Sequence, residues 1–149
     1  MKKILLAWTV LWGMTLLSYG AHITIYHPNG NEKLILTKTY TIDWTFCGTP
    51  DNVSTTVRIE LYKGGLKAFN LVGIIAQNVP IGPLHDAPTT SGSYNWTVGA
   101  YKGGSALPGP GYFIRVTSMQ NSFNSDYCDG PFTLAVKGLL DKGGVNIRP

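Results

Sequence analysis

Apolar and polar positions alternate most cleanly over Tyr40-Thr41-Ile42-Asp43-Trp44-Thr45-Phe46-Cys47. Tyr40, Ile42, Trp44 and Phe46 fall on one side, Thr41, Asp43 and Thr45 on the other. A period of two among aromatic and β-branched residues predicts a strand with one buried face. The same rhythm recurs along the chain. His22 to Tyr26 reads as a first strand, closed by the turn Pro28-Asn29-Gly30-Asn31, where Asn-Gly favours positive φ. Leu34-Ile35-Leu36 is a short edge piece. Val53 to Tyr62 puts Val57, Ile59 and Leu61 inward and Arg58, Glu60 and Tyr62 outward. Lys63-Gly64-Gly65-Leu66 turns it into a partner strand over Lys67 to Ile75.

Residues 77 to 92, with Pro80, Pro83 and Pro88, read as a long irregular loop. Alternation resumes with Tyr94, Trp96 and Val98 inward, crosses a Gly/Pro-rich stretch from Gly99 to Pro110, and returns at Gly111 to Ser118. There Tyr112, Ile114 and Val116 oppose Phe113, Arg115 and Thr117. Gln120 to Asp126 turns the chain into a last strand carrying Phe132, Leu134 and Val136. About seven strands, each with one apolar side to hide, predict an all-β chain of two sheets packed face to face. An immunoglobulin-like β-sandwich over residues 21–137, with a loose tail at 138–149, is the arrangement expected.

The first twenty residues stand apart. Lys2 and Lys3 precede an apolar run from Ile4 to Leu17, and Ser18-Tyr19-Gly20 offers small residues for cleavage. This is the pattern of a secretory signal peptide over 1–20, and its apolar run falls short of the roughly 20 residues that span a bilayer. The mature form is therefore expected outside the cytoplasm with no membrane span. Lys2 and Lys3 leave with the signal, so ten basic residues face eight acidic ones. That balance, with no basic run among aromatics, argues against nucleic acid as a partner. Export also sets the expectation for Cys47 and Cys128, which should pair as a disulfide in an oxidising compartment. Closing so long a loop would stabilise by on the order of 4.5 kcal/mol.

A series of blocks in fixed order adds a resemblance: Tyr26-His27-Pro28-Asn29-Gly30, Tyr40-Thr41-Ile42-Asp43-Trp44 and Val57 to Lys63, followed by Ser91-Gly92-Ser93-Tyr94-Asn95-Trp96, Tyr112 to Ser118 and Ser125 to Phe132. From about residue 22 to 136 the chain resembles the KNH-like N-terminal immunoglobulin-like domain of fungal cell-wall β-1,6-glucan assembly proteins and Ser/Thr-rich GPI-anchored surface proteins. The resemblance implies a secreted, non-enzymatic module of a cell wall or surface, bound to or organising polysaccharide. It brings no catalytic residues. The stretch after residue 136 carries neither a Ser/Thr-rich stalk nor the apolar tail of a GPI signal, so an anchor is not expected from it.

Other patterns compete with this one. Trp44 and Trp96 could stack on sugar rings, but their inward positions assign them to the core. The aromatics expected to be available for glycan contact are Tyr62, Tyr101, Phe113 and Phe123. Asn52-Val53-Ser54 and Asn95-Trp96-Thr97 satisfy the N-glycosylation sequon. His22, His27 and His85 with Asp86 suggest copper, because lytic polysaccharide monooxygenases are secreted β-sandwiches that hold copper through an N-terminal His and a second His. Cleavage after Ala21 would make His22 that residue and His85 its partner. The small-residue rule favours cleavage after Gly20 instead, so no cofactor is expected. Asp43, Glu60, Asp126 and Asp129 include no pair placed for glycoside hydrolysis, and Asp43 and Glu60 are expected on solvated faces. No nucleophile elbow, zinc helix or phosphate loop occurs, and an enzyme is not expected. A protein-facing module pairing through a sheet edge, such as an adhesin or effector bound to a surface protein, is the alternative.

Overall fold

A computed structural model describes residues 22–48, 56–65, 68–82 and 89–138. The leader at 1–20, Asn52, His85 and the tail from residue 139 lie outside the described residues. What is described is all-β. In chain order the strands are β1 (His22–His27), β2 (Lys33–Ile35), β3 (Thr39–Cys47), β4 (Thr56–Gly65), β5 (Ala68–Pro80) and β6 (Thr89–Thr97). They continue as β7 (Ala100–Tyr101), β8 (Gly104–Ser105), β9 (Gly109–Ser118), β10 (Ser125–Tyr127) and β11 (Phe132–Ala135).

Two sheets form the body. The smaller has the order β1-β3-β6, and the larger runs β2-β11-β9-β4-β5, with β10 also paired to β9. The chain thus switches sheets between β1 and β2, at the Pro28–Asn31 turn. β2 then joins β11 in parallel, Leu34 opposite Leu134. The inner faces meet over Ile23, Ile42, Trp44, Phe46, Ile59, Leu61, Ile114, Phe132 and their neighbours. Trp44 and Trp96 are each 1 % exposed. Both indoles satisfy their N–H on the backbone, Trp44 Nε1 donating to the Ile81 carbonyl at 3.2 Å and Trp96 Nε1 to the Ala100 carbonyl at 2.8 Å. Burial of an indole is favourable only when that donor finds such a partner.

The sheet switch is held by a clamp between two turns. Asn31 N donates to the Pro131 carbonyl at 2.8 Å, and Asp129 N donates to Asn29 Oδ1 at 3.2 Å. Glu32 takes the amides of Asn29 and Gly30 on its two carboxylate oxygens, each at 2.7 Å. The Asn29-Gly30 and Asp129-Gly130-Pro131 blocks of the sequence are therefore one structural unit.

The structure departs from the sequence reading in several places. Strand β5 runs on to Pro80 and β6 begins at Thr89, so much of the expected loop at 77 to 92 is strand. The Gly99–Pro110 crossover holds the small β7–β8 hairpin, and Ser125–Tyr127 pairs with β9 where the sequence predicts a turn. Glu60 does point away from the sandwich, yet it is only 3 % exposed. Arg58 Nε lies 3.0 Å from its Oε1, and the Thr117 hydroxyl donates to Oε2 at 3.5 Å. Large neighbours on a sheet face cover a short one, and a buried carboxylate is then kept by its ion pair. Alternation assigns a side chain to a face; it does not say what leans over it.

Candidate functional site

The two sheets do not close on each other along one side. β6 ends the smaller sheet and β5 ends the larger, and a groove runs between these two edges. Its main part, about 630 Å³, is walled by Ile74–Pro80 of β5, Ser93–Asn95 of β6 and Lys102. A further 290 Å³ continues past Tyr94 to Thr97 and Tyr101. The opening is made by β5, which slips register against β4 at three places. Asn78 in this stretch takes φ 56°, a left-handed conformation that Asn tolerates better than most residues. Such bulges bend a strand and re-aim its side chains.

One end of the groove is fixed. Lys102 N donates to the Ile74 carbonyl at 2.7 Å, and the Trp96 indole holds the Ala100 carbonyl, so the β7–β8 hairpin is tied to both walls. Tyr101 seats over Gly73, where a Cβ would come within 2.3 Å of its ring. The polar groups along the walls are Gln77, Asn78, Ser93, Asn95 and Lys102, with Tyr94 half-buried between them. Asn95 Oδ1 accepts from the Thr41 hydroxyl at 3.0 Å, which leaves the amide nitrogen to donate elsewhere. The result is an open trough with Tyr94 in its wall and a mixed set of donors and acceptors.

The expected contact residues do not converge on it. Tyr101 reaches it, but as a wedge at its end. Tyr62 is half-buried and packs edge-on to Tyr127, with ring centroids 5.4 Å apart. Phe113 is a correction: it is 6 % exposed and not available to a ligand. Phe123 is 94 % exposed on the turn before β10 and shares no wall with the groove. Asn95 is exposed on β6 at the groove's lip. His22 is exposed at the start of β1, and the second candidate copper ligand, His85, lies outside the described residues. Among the described residues no three His, Cys, Asp or Glu side chains converge.

The disulfide is a second correction. Cys47 and Cys128 are both free thiols. Cys47 sits opposite His22 at the beginning of β1, whereas the Asp129 amide beside Cys128 meets Asn29 beyond that strand's far end. At about 3.3 Å per residue the two ends are separated by roughly 15–20 Å. A bridge needs Cα atoms within about 7 Å. Cys128 is instead part of the core, its Sγ accepting from Ile114 N and donating to the Gly130 carbonyl, both at 3.3 Å.

Burial pushes the Cys128 thiol up to about 11. Mass measurement after alkylation of the folded protein should therefore find Cys47 modified and Cys128 modified only in denaturant. An unfolded thiol ionises at its ordinary value near 9 while the folded one stays protonated, so this group's contribution to stability is whole below pH 9 and is lost as pH climbs to about 11. A native protein that migrates as a cross-linked form until reduced, with neither thiol open to alkylation, would contradict this geometry.

Among known proteins, a family model described as the Kre9/KNH-like N-terminal Ig-like domain matches residues 27–134. No curated protein matches the chain. Among solved structures it is similar to a β-glucosidase from Listeria innocua in complex with gluconolactone, at TM-score 0.49 and 12 % identity, over 77 % of this chain and 16 % of that one. A mutant of the same enzyme in complex with laminaribiose gives TM-score 0.47 and 12 % identity, over 78 % of this chain and 16 % of that one. The chain thus spans a small part of the length of those enzymes.

Proposed function

The chain belongs to the family of Kre9/KNH-like N-terminal Ig-like domains, and from that premise we propose that it is a secreted, wall- or surface-associated module that binds polysaccharide in the β5–β6 groove without turning it over. The observation that carries this reading is the groove itself. An open trough suits a polymer that enters from the side and lies along it up to the β7–β8 hairpin. Tyr94 is the aromatic side chain in its wall that would stack on a pyranose ring, and Gln77, Asn78, Asn95 and Lys102 would supply hydrogen bonds to its hydroxyls. Its described walls offer amide, hydroxyl and ammonium groups, the donors and acceptors that hold a sugar in place.

Affinity electrophoresis through gels cast with β-1,6-glucan or β-1,3-glucan tests this. Wild type should be retarded by one of them, Tyr94→Ala should bind about tenfold more weakly, and Phe123→Ala should behave as wild type. Equal mobility of wild type and Tyr94→Ala on every glucan would mean that the groove is not where sugar binds.

A further inference from the structure

A second recess lies on the outer face of the smaller sheet, about 440 Å³ in volume. That is within the range of small-molecule sites, about 300–1,000 Å³. It is built by an irregularity in β1. Ile25 pairs with Trp44, but the next paired residue is His27, opposite Asp43, so Tyr26 is an extra residue in the ladder. Two consecutive side chains therefore leave the core side together. Tyr26 is 51 % exposed, and the His27 ring lies over Asp43 with Nδ1 at 3.1 Å from Oδ1. Ser93 stands opposite Asp43 on the other side, and Thr45 and Ser91 form the adjacent row.

The groups in this recess are unusual in what they leave unused. Asp43 spends one carboxylate oxygen on His27, and among the described residues its Oδ2 receives no hydrogen bond. The His27 side chain, with Nδ1 against the carboxylate, is exposed. An exposed ring, a carboxylate oxygen able to accept from two neighbouring hydroxyls, an imidazole nitrogen and short hydroxyl side chains are complementary to a neutral hexose. An anionic sugar would be repelled by Asp43, and a cation would find one carboxylate and one imidazole, too few ligands to hold it. Bulges commonly re-aim side chains next to functional sites, and here one delivers both Tyr26 and His27 to the same recess.

We propose that Tyr26, His27, Asp43 and Ser93 form a saccharide subsite for a neutral hexose unit, separate from the β5–β6 groove and meeting it at Ser93. Tyr26 stacks on the sugar, Asp43 accepts from adjacent hydroxyls, and Ser93 lines both recesses. The subsite rests on the polysaccharide reading, and gives it a place for a side branch or a second chain.

The test is titration of the isotopically labelled full chain with β-1,6-linked and β-1,3-linked glucohexaose, followed by amide chemical shifts, for wild type, Asp43→Asn, Tyr26→Ala and Tyr94→Ala. Asp43→Asn keeps the shape and removes the charge, and well-dispersed amide spectra show that each variant is folded. The expected result is that wild type shifts around Tyr26, His27 and Asp43 as well as along the groove. Asp43→Asn and Tyr26→Ala should weaken the first set about tenfold and leave the groove set unchanged. Shifts confined to the groove, lost only in Tyr94→Ala, would overturn the subsite and leave the groove reading standing. Shifts at neither place with either sugar would overturn both.

Discussion

Gly30→Ala is expected to lower the melting temperature by roughly 10–20 °C, the equivalent of about 3 kcal/mol in a domain of this size. Gly30 has φ +118°, a conformation that side chains rarely adopt. A Cβ there would lie 2.7 Å from the Gly130 Cα and 3.1 Å from that residue's N and C atoms. The obstacle is backbone, so no rotamer change relieves it. Nor can the two turns simply part, because they carry the hydrogen bonds that join Asn29, Asn31, Asp129 and Pro131. The reciprocal change is milder. A Cβ on Gly130 would meet Gly30 Cα at 3.3 Å, with no positive φ to maintain. Thermal unfolding followed by tryptophan fluorescence should therefore rank Gly30→Ala well below Gly130→Ala, and Gly130→Ala below wild type. Equal melting temperatures for Gly30→Ala and wild type would mean that the turns do not touch.

Gly92→Ala should cost a similar amount for a different reason. Its backbone needs no glycine; the space does. A Cβ would fall 2.2 Å from the Ile81 carbonyl oxygen and 2.5 Å from two atoms of the Trp44 indole. Trp44 cannot swing away, since it is closed in by the core and tethered to that same carbonyl. The chain must either lose the indole's hydrogen bond or spread the β3–β6 pair, and overpacking of this kind costs about 1–3 kcal/mol before the hydrogen bond is counted. Tryptophan emission should move to longer wavelength and the unfolding midpoint in urea should drop. Gly103→Ala is the control, because a Cβ there meets nothing within 4 Å and only the φ of +90° is disfavoured. If both variants unfold at the same urea concentration, steric crowding at Gly92 is not what that position guards against.

These two glycines show how far the residue order can be read. The blocks around Asn29-Gly30 and Ser91-Gly92 stand out in the sequence, and alternation places Trp44 and Trp96 inward without any structure. What periodicity lacks is a third dimension. Glu60 and Phe113 fall on the outward side of their strands as expected, yet neighbours lean over them, and nothing local encodes that cover. The pairing of Cys47 with Cys128 follows from compartment and count, but whether two thiols can meet depends on which end of β1 each one faces. The groove is harder still. It exists because β5 and β6 are the last members of different sheets, a property of topology and not of either strand. Tyr26 and His27 sit in a run that reads as regular alternation. A single bulged residue turns them to one face, and the adjacency of two polar-tipped rings before Pro28 is the faint sign of it.

The pairing of β2 with β11 sets the timetable on which this molecule can mature. Lys33–Ile35 have no partner in their sheet until Thr133–Ala135 arrive, a full hundred residues later. Contacts so distant along the chain make acquisition of the native state slow and late. A ribosome-bound or partly translocated chain therefore cannot complete its larger sheet until that strand emerges, although β4, β5 and β9 can already pair. A chain threaded through a pore, as the proposed function would have it, thus crosses with the edge of its larger sheet still unpaired.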